Sequence, residues 1–250
     1  VILPLLPQHV TYVEPFGGAM AILLNKNPSP VEVYNDIDGD LVNFWRVVRD
    51  QELFSQLIIR LSLTCYSREE FYDAARVVRN SEPSRVPDVE RAAQYTVIMQ
   101  SVSGCLDTGW GYSVGSDSRG MARVVASWLS RLEALPLVHE RLSRVMIEHD
   151  DWRAIFDRYD TTQTCFYCDP PYIPDTRRGV EYAHELSFED HQELVERLLS
   201  IKGTALLSGY DHPVYAPLTE HGWRLIRREV SCHAAGKTRG TNIIGDGATW

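Results

Sequence analysis

Short apolar runs alternate with amphipathic stretches along the first fifty residues. Runs of this length that end at glycine or proline are typical of buried strands, and a 3.6-residue apolar period is typical of helices. The pattern predicts a strand, a glycine turn, a helix, a second strand and a second helix, at Thr11–Glu14, Phe16–Gly18, Ala19–Asn25, Val31–Tyr34 and about Asp40–Arg49. This order is a β-α-β unit with a glycine turn after its first strand.

The strand pattern resumes only late in the chain. Strands are predicted at 145–148, 164–168, 204–207 and 223–230, with helices at 152–159 and 188–200. The stretch between the two halves, residues 51–142, shows helical patterning near 68–79 and 91–100 and then a Gly/Ser-rich loop or hairpin. We therefore predict an α/β fold in which residues 1–50 and 143–250 form one domain and residues 51–142 form an inserted, mainly helical subdomain.

The sequence Asp169-Pro170-Pro171-Tyr172 directly follows the apolar run Thr164–Cys168. This places a carboxylate at the carboxyl end of a predicted strand, where ligands bind in open α/β sheets. An exocyclic base amine is a poor nucleophile, and the Asp169 carboxylate together with the Pro170 carbonyl could accept its two hydrogens and expose its lone pair. Tyr172 could stack on a base rotated out of a duplex. The alternative is a proline turn capped by an acid.

Asp36 ends the second predicted strand, 18 residues after Gly18. An acid about 20 residues beyond a glycine turn accepts both ribose hydroxyls in nucleotide-binding β-α-β units. The alternative for Asp36 is an Asx turn or a helix cap, for which Asp38 is the better candidate. A glycine turn by itself is more often only a turn.

Composition changes this picture little. The formal charge is −9, but residues 46–144 carry 13 Arg and 12 acidic residues, so the acidity lies outside the predicted insertion and does not oppose DNA binding there. The five cysteines lack framework spacing, and Cys165 and Cys168 should point to opposite faces of a strand, which favours core packing over zinc. No run approaches the length of a membrane span, so we expect a soluble cytoplasmic protein. We also expect no bound metal.

With these residues in place, the chain resembles the Dam-type N6-adenine-specific DNA methyltransferases, in particular phage and prophage members. Three blocks in family order carry the resemblance, Tyr12–Gly18, Tyr34–Asp38 and Asp169–Tyr172. Four shorter stretches add to it: Ser103-Gly104, Trp110–Ser113, Tyr182–Glu185 and Leu206–Tyr210. The resemblance implies a Rossmann-like methyltransferase sheet, S-adenosylmethionine as methyl donor, and double-stranded DNA containing a target adenine as partner.

The resemblance also implies roles for individual residues. The implied catalytic residues are Asp169, Pro170, Pro171 and Tyr172. The implied cofactor-binding residues are Glu14, Pro15, Phe16, Gly17, Gly18, Asp36, Ile37, Asp151 and Asp169, with Asp151 at the cofactor adenine. The insertion would recognise the target, and the candidate DNA contacts are Tyr112, Arg119, Lys237 and Arg239.

Two family features differ in the printed sequence. Family members normally open with a Lys-x-Pro-Gly-Gly-Lys segment that lines the methionine side of the cofactor, and the sequence begins at Val1 without it. After Gly236–Arg239, where the family continues into another strand, we expect an abbreviated end. Three alternatives remain open at this stage: N4-cytosine methylation, RNA adenine methylation, and a DNA-binding regulator of the same fold with impaired turnover.

Overall fold

The computed structural model describes residues 2–101, 109–117, 119–176, 184–232 and 238–246, with the backbone alone for 100–101, 228–232 and 238–246. The chain divides into two compact units. The sheet unit comprises the residues up to Ile37 and those from Val145 onward, and the helical unit comprises Asp38–Arg144.

In the described residues, seven strands of the sheet unit form one sheet in the order β3-β2-β1-β4-β5-β7-β6. Strands β1 to β5 are parallel, and β7 is antiparallel to both of its neighbours. The strands are β1 Thr11–Glu14, β2 Val31–Asn35, β3 Met146–Glu148, β4 Thr164–Cys168, β5 Thr204–Tyr210, β6 Arg224–Cys232 and β7 Thr238–Asp246. The predicted Rossmann-like α/β fold is confirmed. The expectation that the chain lacks another strand after Gly236 is wrong, because β7 follows there.

Alternation along the strands gives the sheet two different faces. One face is apolar and packs against α7 and α8, through residues such as Val13, Phe166, Phe156 and Leu194. The other face carries tyrosine and carboxyl side chains that include Tyr12 and Glu14, both buried. Helices of this unit are α1 Ala21–Asn25, α7 Trp152–Tyr159, α8 Phe188–Ser200 and α9 Ala216–Glu220, with 3₁₀ turns at Leu3–Leu5, Pro174–Thr176 and Pro213–Tyr215.

The two cysteines of β4 follow the predicted alternation. Cys165 and Cys168 are both buried thiols. Cys168 belongs to the apolar core, whereas Cys165 lies opposite Tyr12 of β1. Their assignment to packing is therefore confirmed. Among the described residues, no group of three or more His, Cys, Asp or Glu side chains is placed to hold a metal ion.

The helical unit contains α2 Gly39–Arg49, α3 Gln51–Ser62, α4 Arg68–Asn80, α5 Val89–Ser101 and α6 Arg123–Leu142. Helix α2 begins at the cap predicted for it, since Asp38 accepts hydrogen bonds from the amides of Asp40 and Leu41 at 2.9 and 3.2 Å. Within the described ranges, no helix is long and apolar enough to span a membrane.

Helix α2 belongs to the helical unit, although we predicted that the insertion starts at residue 51. Two buried polar links explain the difference. Arg91 of α5 pairs with Asp40, and Asn43 exchanges hydrogen bonds with the backbone of Asp88 at 2.9 and 2.8 Å. The compact unit therefore starts at Asp38, and its predicted role in target recognition stays a prediction.

Candidate active site

The glycine turn after β1 requires its first glycine. Gly17 donates its amide hydrogen to the carbonyl oxygen of Asn35 at 2.8 Å. This brings the turn so close to β2 that a Cβ at position 17 would overlap the ring of Tyr34. The Tyr34 hydroxyl in turn donates to the carbonyl of Gly18 at 2.9 Å. The backbone of the turn is thus fixed against β2 from both sides.

Gly18 differs from Gly17 in what surrounds it. Its φ is +46°, in the left-handed region, and a Cβ there would meet no atom within 4 Å. Met20 is also left-handed at φ 54°, so α1 begins at Ala21 rather than at the predicted Ala19. The turn therefore offers an open stretch of backbone, which is the environment that a closely approaching ligand needs.

Asp36 lies at the carboxyl end of β2, directly beside this open backbone. Its Oδ2 atom accepts the amide hydrogen of Gly18 at 2.8 Å. A carboxylate in that position, next to an exposed glycine turn, matches the donor and acceptor needs of a nucleoside ribose. The residues present therefore fit a nucleoside cofactor such as S-adenosylmethionine. The next residue, Ile37, has a side chain that is 49% exposed.

Asp151 precedes α7 at the end of β3. Its Oδ1 atom caps the helix by accepting the amide hydrogen of Arg153 at 2.8 Å, and its carboxylate also pairs with the Arg153 guanidinium. Arg153 also binds Glu193 and Asp190. Both bonds raise the pKa of the Arg153 guanidinium, and the bond to Glu193 contributes more. The ring of Phe16 in the glycine turn contacts Trp152 at 5.9 Å between centroids. The predicted adenine-binding residue is thus held by α7.

Asp169 follows β4, the neighbour of β1 in the sheet. The Tyr172 hydroxyl donates to its Oδ1 atom at 2.8 Å, and the Tyr172 ring lies edge-on to Tyr210 at 4.9 Å. Asp169 is exposed at the surface, but protein atoms lie close around its carboxyl group and partly remove its hydration. This loss of hydration raises the pKa of Asp169, and the hydrogen bonds from Tyr172 and Tyr167 lower it by less. Pro170 is buried and Pro171 is partly buried, which makes the backbone here rigid.

Glu14, a predicted cofactor ligand, lies below the turn and is only 1% exposed. Its Oε1 atom accepts hydrogen bonds from the Tyr12 hydroxyl and the Leu23 amide, both at 2.8 Å. Burial raises the pKa of this carboxyl to about 8. The structure therefore gives Glu14 partners in β1 and α1, and a contact with the cofactor stays a prediction.

Sequence reasoning missed Asn35. Its side chain is 1% exposed and bonds to the backbone of Pro15 and Asp150. A polar residue at the end of a predicted buried strand was the available signal, but its partners lie 20 and 115 residues away. The strand ends thus bring together the glycine turn, Asp36, the Asp150-Asp151 pair and Asp169, on neighbouring strands β3, β2, β1 and β4.

The candidate DNA contacts lie elsewhere. In the helical unit, Tyr112 is 70% exposed and stacks on Trp110, with 6.2 Å between the ring centroids. The Arg68 guanidinium also lies over the Trp110 ring, 4.4 Å from its centroid. Arg119 bonds to Ser130 and lies near Asp117 and Glu133. Lys237 and the motif Ser103-Gly104 lie outside the described residues, and only the backbone of Arg239 is described.

Comparison with known proteins addresses the chemistry of these strand ends. The chain matches the family model of the D12 class N6 adenine-specific DNA methyltransferases over residues 1–211. The match includes the glycine turn, Asp36, Asp151 and Asp169–Tyr172. No curated protein matches the chain. Because the family model covers most of the chain, the protein belongs to the D12 class of N6 adenine-specific DNA methyltransferases.

Proposed function

We propose that Asp169 and Tyr172 carry out the transfer of a methyl group to the N6 amine of an adenine that is rotated out of double-stranded DNA. The D12 class methylates adenine in DNA with S-adenosylmethionine as donor. When bound, this cofactor supplies an electrophilic methyl group. The observation that carries the proposal is the Tyr172–Asp169 hydrogen bond of 2.8 Å at the end of β4, beside the glycine turn of β1.

Asp169 activates the amine by accepting one of its hydrogens. The Pro170 carbonyl accepts the second hydrogen, so the nitrogen lone pair turns away from conjugation with the ring and becomes nucleophilic. When the nitrogen forms its new bond to carbon, the methyl–sulfur bond of the donor would break and leave its electron pair on sulfur, and the nitrogen would have to lose one proton. The raised pKa of Asp169 suits it to receive that proton before passing it to solvent.

Tyr172 orients both the carboxylate and the base. Its hydroxyl donates to Asp169, so this carboxyl oxygen is held in one direction. Tyr210 supports the ring through an edge-on contact. The Tyr172 ring stacks on the flipped base, since chemistry on an exocyclic amine requires the base to leave the duplex.

The cofactor is held by the turn and by the neighbouring strand ends. We assign Phe16, Gly17 and Gly18 to contacts with its methionine part and nucleoside, Asp36 to its ribose hydroxyls and Asp151 to its adenine. Ile37 covers the nucleoside with its exposed side chain. Glu14 and Pro15 contribute indirectly, since they lie beneath the turn and support the backbone of the residues that follow them.

The helical unit serves as the target-recognition subdomain. The stacked pair Trp110 and Tyr112, with Arg68 over Trp110, offers a rigid aromatic surface with an attached cation. Aromatic rings stack on bases, and cations bind phosphates. Arg119, Lys237 and Arg239 are assigned to phosphate or groove contacts. Because its substrate is DNA, we place the enzyme in the cytoplasm of a bacterial or phage-infected cell, with a role in restriction-modification.

The decisive experiment compares Asp169→Ala with Asp175→Ala, a change of an exposed acid in the nearby 3₁₀ turn. Labelled methyl transfer to DNA should fall by at least about 1,000-fold for Asp169→Ala, since alanine has no oxygen to accept a hydrogen or a proton from the amine. Calorimetry should find cofactor affinity within about threefold of wild type for both variants. Turnover by Asp169→Ala near that of Asp175→Ala would overturn the assignment.

A further inference from the structure

We propose that Asn35 is a positioning residue that sets the shape of the cofactor site by joining the glycine turn to the loop that carries Asp151. This inference rests on the proposed function, because it concerns the same strand ends. Asn35 is the last residue of β2, which lies between β1 and β3 in the sheet. A side chain at the end of the middle strand can reach the loops that follow both neighbouring strands.

The Asn35 amide makes a bond in each direction. Its Nδ2 group donates one hydrogen to the carbonyl of Pro15 at 2.9 Å and one to the carbonyl of Asp150 at 3.0 Å. Its Oδ1 atom accepts the amide hydrogen of Asp150 at 2.9 Å. Both hydrogens of the side-chain amide are thereby used, and the group is shielded from water, with 1% of the residue exposed.

Only an amide of this length has the required donors and acceptor. An aspartate would direct a charged carboxylate at two carbonyl oxygens, and an apolar residue would remove the partner of three buried or partly buried backbone groups. The backbone of Asn35 adds to the connection, since its carbonyl accepts the amide hydrogen of Gly17 at 2.8 Å. Residue 35 therefore holds the turn through its main chain and the opposite loop through its side chain.

The two bonded loops carry the groups assigned to the cofactor. Pro15 directly precedes Phe16 and Gly17, and Asp150 directly precedes Asp151. The rings of Phe16 and Trp152 meet at 5.9 Å, so the same two loops also pack together. Loss of the Asn35 bonds would let these loops separate, and the cofactor would then have to draw them together as it binds.

The test uses Asn35→Ala and the nearly isosteric Asn35→Asp, with Asn43→Ala as matched control. Asn43 is 3% exposed and makes the same kind of bracket to the backbone of Asp88 in the helical unit. Calorimetry should show S-adenosylmethionine bound at least about tenfold more weakly by both Asn35 variants, and within twofold of wild type by Asn43→Ala. The KM for S-adenosylmethionine should rise while kcat at saturation changes less than threefold.

Hydrogen exchange without cofactor provides a readout independent of activity. In Asn35→Ala, the amides of Gly17 and Asp150 should exchange at least tenfold faster, whereas those of β5 should match wild type. Unchanged affinity and unchanged exchange in both Asn35 variants would overturn the positioning role while wild-type activity upholds the proposed function. If wild type itself neither binds S-adenosylmethionine nor methylates DNA, the proposed function fails and this inference fails with it.

Discussion

The glycine turn in the sheet unit and the Trp110–Tyr112 segment in the helical unit are built in opposite ways. The main chain of the turn is held by three hydrogen bonds. Two involve the side chains of Tyr34 and Asp36, and one involves the backbone carbonyl of Asn35. In the other segment the exposed side chain of Tyr112 stacks on Trp110, and the Tyr66 hydroxyl donates to the carbonyl of Gly111 at 2.7 Å. The turn is thus shaped before its ligand arrives, whereas the segment presents side chains for contact.

The largest expected effect comes from placing a methyl group in the glycine turn. In Gly17→Ala, the new Cβ must displace the buried ring of Tyr34, so we expect cofactor affinity to fall by more than about 100-fold and the free energy of unfolding to fall by about 1–3 kcal/mol. In Gly18→Ala, the methyl group meets open space but the left-handed backbone costs about 1–2 kcal/mol. Calorimetry and chemical denaturation measure both. Equal affinity of the two variants would show that the contact with Tyr34 is not limiting.

The buried carboxyl below the turn predicts a pH effect on stability. Glu14 has its pKa raised to about 8, so between pH 4.5 and 8 the folded protein keeps a proton that the unfolded chain loses. Folding stability from this group is therefore complete below about pH 4.5 and is lost as the pH rises through 8. Glu14→Gln removes the charge. The variant should become more stable than wild type as the pH rises. The difference between their free energies of unfolding should grow by a few kcal/mol from pH 5 to pH 9, at about 1.36 kcal/mol per pH unit between the two pKa values.

Thermal or urea unfolding of the two proteins at several pH values measures this difference. Asp175→Asn serves as the control, because that acid is exposed in its 3₁₀ turn. A difference for Glu14→Gln that stays constant from pH 5 to 9 would show that Glu14 is ionised throughout.

The aromatic segment should respond more weakly and in a different property. Tyr112→Ala removes one stacking surface, so DNA affinity should fall by about 1–3 kcal/mol while cofactor affinity is unchanged. Stacking releases no counterions, so the slope of log Kd against log salt should match wild type. Tyr72→Ala is the matched control, since Tyr72 is 51% exposed in the same unit. Equal losses in both variants would remove Tyr112 from the DNA contact.

The smallest effect is expected at Arg119. Its guanidinium bonds to Ser130 and lies 3.7 Å from Glu133 and 4.0 Å from Asp117, so its charge is already partly neutralised. Arg119→Ala should lower DNA affinity by less than about threefold, close to the range of surface ion pairs. A loss of tenfold or more in filter binding would mean that Arg119 leaves these acids when DNA binds.

The sequence was most informative where chemistry and local pattern coincide. The order of β1, glycine turn and β2 follows from residues 11–36, and Asp169 could be placed after β4 because two prolines end the apolar run. Helices α3 and α6 were missed. Helix α3 starts at a cap only one residue after α2 ends, and α6 contains Pro136, which in sequence argues against a helix.

Long-range partners limited the prediction of the site. Asp151 could be assigned from the family resemblance, but its neighbour Arg153 also binds Asp190 and Glu193 of α8, which lie 37 and 40 residues further along the chain. The same reason hid Asn35, whose bonds join segments that are remote in sequence. Arg119 was predicted as a DNA contact without its acidic neighbour Glu133, because Glu133 lies on α6, which the sequence pattern did not predict.

The contact between Gly17 and Tyr34 has a consequence for the history of the family. A side chain at position 17 is compatible only with a residue smaller than tyrosine at position 34, so the first site cannot change before the second. Across relatives, a larger residue at the first position should therefore accompany a smaller one at the second. A hybrid that combines a side chain in the turn with tyrosine in the second strand should lose activity.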